Sequence, residues 1–249
     1  MTNPDEPTPH DDQHVARSRL IIALFGFAAT VALIVAFPAG VRIPGPFSPL
    51  NGYLLVWLPL VVALLVVALV PRWRAAGSSA VRWRIRPIDL LWGAAAGFVL
   101  RIATSSLEIL FYGGLPATAG GAVPLGTVDQ VVFFVVALLA VVALAPVIEE
   151  LFFRGLVLPS VIGTLRGGRW IAVVISAVLF AVLHLLVVTT LAQTIVVGVG
   201  TLLVGLVTGS LAILTGRLGP AVVAHVVFNT SILALGLTAV TGGTGVVIE

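Results

Sequence analysis

Long apolar runs alternate with short polar loops along most of this chain. Most of the runs approach the ~20 residues that an α-helix needs to cross a lipid bilayer. They cover residues 20–41, 52–70, 88–112, 128–148, 170–188, 191–215 and 219–240. Because lipid offers no hydrogen-bond partners, each run must satisfy its own backbone groups, and the pattern predicts seven helices. Only residues 188–190 separate the fifth run from the sixth, so a re-entrant arrangement stays open there.

Charged residues are rare in this chain, and their scarcity decides the class of protein. Of the 249 residues, 59% are hydrophobic and only 9% are charged, whereas a soluble domain carries roughly a quarter charged residues. This composition excludes an ordinary cytosolic enzyme and a disordered chain. The absence of cysteine excludes disulfides, a thiol nucleophile and thiolate metal sites. The expected fold is an all-α, polytopic bundle of about seven transmembrane helices.

The 13 basic residues are all arginines, and their positions predict the orientation in the membrane. With a cytoplasmic N-terminus, ten arginines lie in cytoplasmic segments, Arg42 lies outside, and Arg101 and Arg154 lie within or beside apolar runs. Cytoplasmic loops of membrane proteins are enriched in basic residues, so we expect this orientation, with the C-terminus outside. The net charge of +3 could also suggest nucleic-acid binding. Because the arginines lie mostly in short loops between apolar runs, we expect the partner to be the lipid bilayer and not nucleic acid.

Residues 1–16 form a polar segment that contains three prolines and four acidic residues. This composition predicts a disordered cytoplasmic tail. The segment is too acidic for a signal peptide and lacks the expected cleavage pattern.

A few polar residues at membrane depth need an explanation, because one charge there costs at least ~2.5 kcal/mol. They are Arg101, Glu108, Glu149, Glu150, Arg154, His184, His225 and Asn229. Intramembrane ionisable residues indicate a functional site by default. A structural interpretation stays open for each, since a lone histidine often forms an interhelical hydrogen bond. For Arg101 and Glu108 we favour that interpretation, with each neutralising the other through water or a neighbouring group.

Two adjacent glutamates follow the fourth run, just after Pro146, which should loosen the helix. Glu150 and Arg154 are four residues apart, with the glutamate first, so we expect an ion pair on one helix face. This pair also suits a purely structural clasp. Glu149 points about 100° away from Glu150 around the helix. It has no obvious local partner, which suits a general acid or base.

Two histidines and an asparagine complete the candidate site. His184 lies in the fifth run, and His225 and Asn229 share one face of the seventh. In one mechanism, Glu149 and His184 activate a water molecule that attacks a carbonyl group. His225 and Asn229 then stabilise the oxyanion. In the other, Glu149, His184 and His225 bind Zn²⁺, which supplies the hydroxide. The HExxH zinc motif is absent, so the residues establish no cofactor.

Three motifs occur in order on successive apolar segments: Glu149-Glu150-x-x-x-Arg154, Phe180-x-x-x-His184 and His225-x-x-x-Asn229. Together they resemble the motifs of the CPBP intramembrane protease family, which includes CAAX prenyl proteases and bacterial bacteriocin-processing and self-immunity proteins. The resemblance covers about residues 120–240. We therefore divide the chain into the tail 1–16, N-terminal transmembrane helices 17–127 and a CPBP-like protease core 128–249.

The resemblance implies an endopeptidase that works inside the membrane and is reached from the cytoplasmic side. It implies that Glu149 and His184 activate water. It also implies that His225 and Asn229 form the oxyanion site, which Glu150 and Arg154 support. The family has been described both as metalloproteases and as metal-free glutamate proteases, and we favour the metal-free mechanism.

The composition, with arginine as its only basic residue and much Ala, Val and Gly, is typical of a GC-rich bacterium. We therefore expect the bacterial plasma membrane and a membrane-embedded or membrane-tethered peptide or protein as substrate. The alternative is a non-catalytic scaffold, immunity partner or transporter with a retained polar cavity, because intramembrane Glu and His also form proton relays.

Overall fold

A computed structural model of the protein describes residues 9–38, 42–71, 81–115, 127–165 and 168–242. Within these ranges, the side chains of residues 9–11 and 233–242 are not described. The described residues form seven helices and no strand. In chain order the helices are α1 (Pro9–Ala36), α2 (Asn51–Leu69), α3 (Pro87–Tyr112), α4 (Val128–Thr164), α5 (Arg169–Leu185), α6 (Leu191–Thr215) and α7 (Gly219–Gly242). A 3₁₀ turn, Gly45–Leu50, precedes α2.

The predicted all-α membrane bundle is confirmed, and the protein is a multi-pass membrane protein. Helices α1 to α4 and α6 include segments long and apolar enough to cross a bilayer. Helix α5, with 17 residues, is shorter. Separate fifth and sixth helices are also confirmed. Thr190 caps α6 by accepting a hydrogen bond from the Gln193 N–H at 3.2 Å.

Helix α1 begins and ends earlier than the hydropathy pattern predicts. It begins at Pro9, so residues 9–16 are helical, although we expected them to be disordered; residues 1–8 lie outside the described residues. Proline is tolerated in the first turn of a helix, and Asp12 lies close to the positive end of the helix dipole. The helix ends at Ala36, because Pro38 disfavours helical geometry at the residue before it.

Helix α4 is interrupted twice and extends well beyond the predicted end at residue 148. Its α-helical hydrogen bonds give way to π-helical ones at Ala140–Leu144 and at Leu151–Val157. Each stretch lies two residues before a proline, Pro146 or Pro159. Proline lacks an N–H and clashes with the carbonyl one turn earlier, and a wider turn accommodates both effects. Pro146 therefore loosens the helix, as predicted, but does not end it.

The second half of α4 lies at the centre of the bundle, where it contacts α1, α2, α5 and α6. Its side chains Phe152, Phe153, Leu156 and Leu158 are at most 1% exposed. Phe153 packs edge-to-face against Phe180 of α5, with ring centroids 5.3 Å apart. This core holds the central part of α4, which carries the two adjacent glutamates, in a fixed position.

Helix α3 packs closely on α7 through glycines. A Cβ atom at Gly97 would lie 2.6 Å from the carbonyl oxygen of Ala224, so only glycine permits this approach. At one end of the pair, Arg217 binds Asp89, with Nε 3.1 Å from Oδ2. The Leu218 N–H also donates to the Arg82 carbonyl. Two loops that were both predicted to be cytoplasmic therefore meet at one end of the bundle, as that orientation requires.

Candidate active site

A cavity of about 320 Å³ lies among helices α2 to α7. We call it the main cavity. The four residues expected to be catalytic, Glu149, His184, His225 and Asn229, all line it. They come from α4, α5 and α7, so the fold brings together side chains that are up to 80 positions apart in the sequence. Its other polar lining residues are Tyr53, Thr104, Glu108 and Thr201.

Glu150 and Arg154 form a buried ion pair on the core side of α4. Arg154 Nε lies 3.1 Å from Glu150 Oε2, and both side chains are 0% exposed. The Arg154 guanidinium also donates to the Gly205 carbonyl at 3.3 Å. It lies over the ring of Phe180, 4.8 Å from the centroid. Neither residue lines the main cavity, so the pair supports the site from behind.

His225 lies between the two adjacent glutamates. Its Nδ1 is 2.9 Å from Glu150 Oε1, and its Nε2 is 3.8 Å from Glu149 Oε2. An ionised carboxylate only accepts hydrogen bonds, so Nδ1 carries the hydrogen in the first contact. The second distance is too long for a hydrogen bond. Nε2 is therefore the ring nitrogen that remains available to a bound substrate.

His184 is oriented by its own helix. Its Nδ1 lies 2.9 Å from the Phe180 carbonyl oxygen. Because a carbonyl oxygen only accepts, Nδ1 carries the hydrogen of the neutral ring, and Nε2 keeps a lone pair. The Phe180 ring lies 4.5 Å from the His184 ring and 5.7 Å from the His225 ring. The spacing Phe180-x-x-x-His184 thus supplies both a hydrogen-bond acceptor and an aromatic wall.

Asn229 is held by a carbonyl group of α4. Its Nδ2 donates to the Val141 carbonyl oxygen at 2.9 Å. This contact uses one of the two amide hydrogens and leaves the other hydrogen and Oδ1 for the main cavity.

Helices α2 and α3 contribute cavity residues that we did not predict from the sequence. Arg101 binds both carboxylate oxygens of Glu108, which confirms their expected mutual neutralisation. Glu108 also lines the main cavity with Thr104, one turn earlier in α3. Tyr53 of α2 lines the cavity too and stacks on Trp57, with ring centroids 4.8 Å apart. Glu108 was detectable as an intramembrane charge, but nothing in the sequence pattern singles out Tyr53 or Thr104.

A smaller cavity of about 240 Å³ adjoins the same site, and we call it the side cavity. Tyr53, Glu149 and His184 line both cavities. The remaining lining residues are Ile34, Gly52, Val56, Phe153, Leu183 and Val187. The space beyond the three shared residues is therefore enclosed by apolar side chains and one glycine.

The candidate zinc ligands do not fit a metal site in the described part of the chain. There, no three His, Cys, Asp or Glu side chains lie close enough together to hold one metal ion. Glu149 and His225 approach each other, but His184 does not complete a set with them. The described side chains thus offer a carboxylate, two imidazoles and an amide to a bound peptide.

Residues 131–231 match a family model described as Type II CAAX prenyl endopeptidase Rce1-like. The matched segment, which is less than half of the chain, is similar to this family. It runs from the first part of α4 to the middle of α7 and contains all three motifs, from Glu149 to Asn229. The match confirms the resemblance to the CPBP proteases. No curated protein and no solved structure matches the chain. The main cavity extends beyond the matched segment, because three of its lining residues lie outside residues 131–231. They are Tyr53, Thr104 and Glu108.

Proposed function

We propose that this protein is an intramembrane endopeptidase that hydrolyses a peptide bond of a membrane-associated or lipidated protein or peptide. The observation that supports this most directly is the single cavity lined by Glu149, His184, His225 and Asn229. The Rce1-like match independently supports protease chemistry. An inactive scaffold does not explain why one cavity is lined by all four residues expected to be catalytic.

In the proposed mechanism, Glu149 and His184 activate a water molecule. The fixed Nδ1–H of His184 leaves the Nε2 lone pair to accept a proton from that water. Among the described residues Glu149 has no hydrogen-bond partner, and His225 Nε2 lies 3.8 Å away, so its carboxylate is free to bind the same water. The hydroxide equivalent then attacks the carbonyl carbon of the substrate, and the proton passes to the leaving amine.

The oxyanion that forms in this attack requires hydrogen-bond donors. We assign them to the free amide hydrogen of Asn229 and to the Nε2–H of His225 in its imidazolium form, in which both ring nitrogens carry hydrogen and Nδ1–H stays bonded to Glu150. Donors of this kind contribute about 3–4 kcal/mol each in well-studied hydrolases. Glu150 and Arg154 do not contact the substrate; they hold His225 in place.

The two cavities suggest how a substrate binds. Because Glu149 and His184 line both of them, a peptide with its scissile bond at these residues extends into the main cavity on one side and the side cavity on the other. The apolar side cavity favours an aliphatic side chain or a lipid chain. We propose the bacterial plasma membrane as the location.

The experiment uses purified protein in lipid vesicles and two kinds of probe: a prenylated CAAX-type peptide and a set of apolar membrane peptides. We expect cleavage of at least one probe, detected by mass spectrometry of the new termini. We also expect EDTA to leave the rate unchanged, because the described donors do not assemble a metal site. A rate abolished by EDTA and restored by Zn²⁺ would contradict the metal-free mechanism. Proton or solute flux without cleavage of any probe would support the transporter alternative.

A further inference from the structure

The first interruption of α4 leaves one backbone carbonyl without its helical partner. In a regular α-helix the Val141 carbonyl accepts from the Ala145 N–H. Here the Ala145 N–H donates to the Ala140 carbonyl, five residues earlier. The next residue, Pro146, has no N–H to offer. The Val141 oxygen therefore receives no N–H from residue 145, as it would in an α-helix, and none from residue 146, as it would in a π-helix.

A side chain from another helix takes the vacant place. Asn229 Nδ2 of α7 donates to the Val141 oxygen at 2.9 Å. The contact is partly buried, and an unpaired carbonyl at membrane depth is costly, so the contact is favoured once the turn has opened. It fixes the orientation of the amide, since the donating nitrogen must face α4 and the remaining polar atoms face the main cavity, which Val141 and Asn229 both line.

We infer that Pro146 is a positioning residue: it favours the π-helical turn that takes the Ala145 N–H away from the Val141 carbonyl and supplies no N–H of its own, so this carbonyl orients the amide of Asn229 for catalysis. The inference rests on the proposed function, in which Asn229 stabilises the oxyanion. Pro146 acts only through Val141 and Asn229 and does not touch the reacting atoms. It therefore explains why a proline stands inside a membrane helix, four residues before the second glutamate.

The test is Pro146→Ala. The new N–H completes the helical hydrogen bonds and draws the Val141 carbonyl back toward the helix axis, so Asn229 loses its anchor. We expect kcat to fall by about tenfold, as for the weakening of one hydrogen bond, with KM unchanged. We expect the melting temperature to stay the same or to rise, because proline inside a helix is normally destabilising. A purely structural proline would instead lower the melting temperature and leave kcat intact.

Pro159→Ala is the matched control. Pro159 stands in the same helix at the same distance after a π-helical stretch, and it lines neither cavity. We expect its kcat to equal that of the wild type. A double-mutant cycle adds Asn229→Ala, which lowers kcat by about 10²-fold if it removes an oxyanion donor. In that background, Pro146→Ala should have no further effect on kcat. An equal decrease in both backgrounds would overturn the inference.

A second readout does not depend on activity. The chain has only three asparagines, Asn3, Asn51 and Asn229, so labelling with ¹⁵N-asparagine gives three side-chain amide signals in an NMR spectrum. In Pro146→Ala the Asn229 signal should shift, while the signals of Asn3 and Asn51 stay in place and Pro159→Ala changes none of them. An unchanged Asn229 signal would overturn the inference even if the protein is a protease. A shifted signal in a protein that cleaves no peptide would support the contact and count against the proposed function.

Discussion

Glu149→Gln will abolish peptide hydrolysis while leaving the fold intact. The substitution keeps the size of the side chain and removes the carboxylate that, together with His184, binds and activates the attacking water. General acid–base groups contribute about 10²–10⁴-fold to a rate, so we expect kcat to fall by at least about 10²-fold. The fold should tolerate the change, because Glu149 makes no hydrogen bond to any described residue. Its contact with His225 is 3.8 Å long.

The measurement compares kcat and melting temperature for the wild type and Glu149→Gln in the same vesicles. Thr201→Val is the matched control, because Thr201 lines the same cavity but its hydroxyl donates to the Val197 carbonyl of its own helix at 2.7 Å. We expect this variant to keep kcat within a factor of about three, since the substitution is close to isosteric. A Glu149→Gln variant that retains a tenth or more of the wild-type kcat would contradict the assignment of Glu149.

Arg154→Met will destabilise the protein more than the substitution of an exposed arginine such as Arg169. The substitution removes the cation that pairs with the Glu150 carboxylate, which is 0% exposed. Among the described residues, His225 is then the remaining partner of Glu150. Removing one member of a buried ion pair costs about 3–5 kcal/mol. The loss should appear as a lower midpoint in detergent-induced unfolding. Activity should fall as well, because the uncompensated Glu150 no longer holds His225 in one position.

Two further variants separate the effect of charge from the effect of lost packing. Glu150→Gln combined with Arg154→Met removes both charges, and we expect it to recover more than half of the lost stability. Arg169→Met changes an exposed arginine at the start of α5 and should alter stability by no more than about 0.5 kcal/mol. If Arg154→Met unfolds at the same midpoint as Arg169→Met, the buried pair does not have the stabilising role assigned to it.

The helices were predictable because a membrane leaves the chain almost no alternative. The boundaries of the helices were harder to predict. The polar start of α1 and the continuation of α4 beyond Glu150 depend on packing against other helices. The pair between Glu150 and Arg154 was predictable from local geometry, since residues four apart share a face whatever the rest of the fold does. The neutralisation of Glu108 by Arg101 follows the same logic over two turns.

Contacts between distant segments could not be predicted from residue spacing. His225 contacts Glu150 across 75 positions, and Asn229 contacts Val141 across 88. The Asn229 contact also depends on a π-helical stretch that the apolar pattern does not reveal. Tyr53 was missed for the same reason, because a tyrosine near the start of an apolar run looks like an ordinary interfacial residue.

The most direct test of intramembrane proteolysis is made in the native host. Membrane fractions from cells with the wild-type protein and from cells with Glu149→Gln are compared by mass spectrometry of peptide termini. We expect that a defined set of membrane-associated peptides or proteins stays uncut in the Glu149→Gln cells, and that their new termini appear in the wild type alone. Identical sets of termini in the two strains, with Glu149→Gln expressed at the wild-type level, would contradict this expectation.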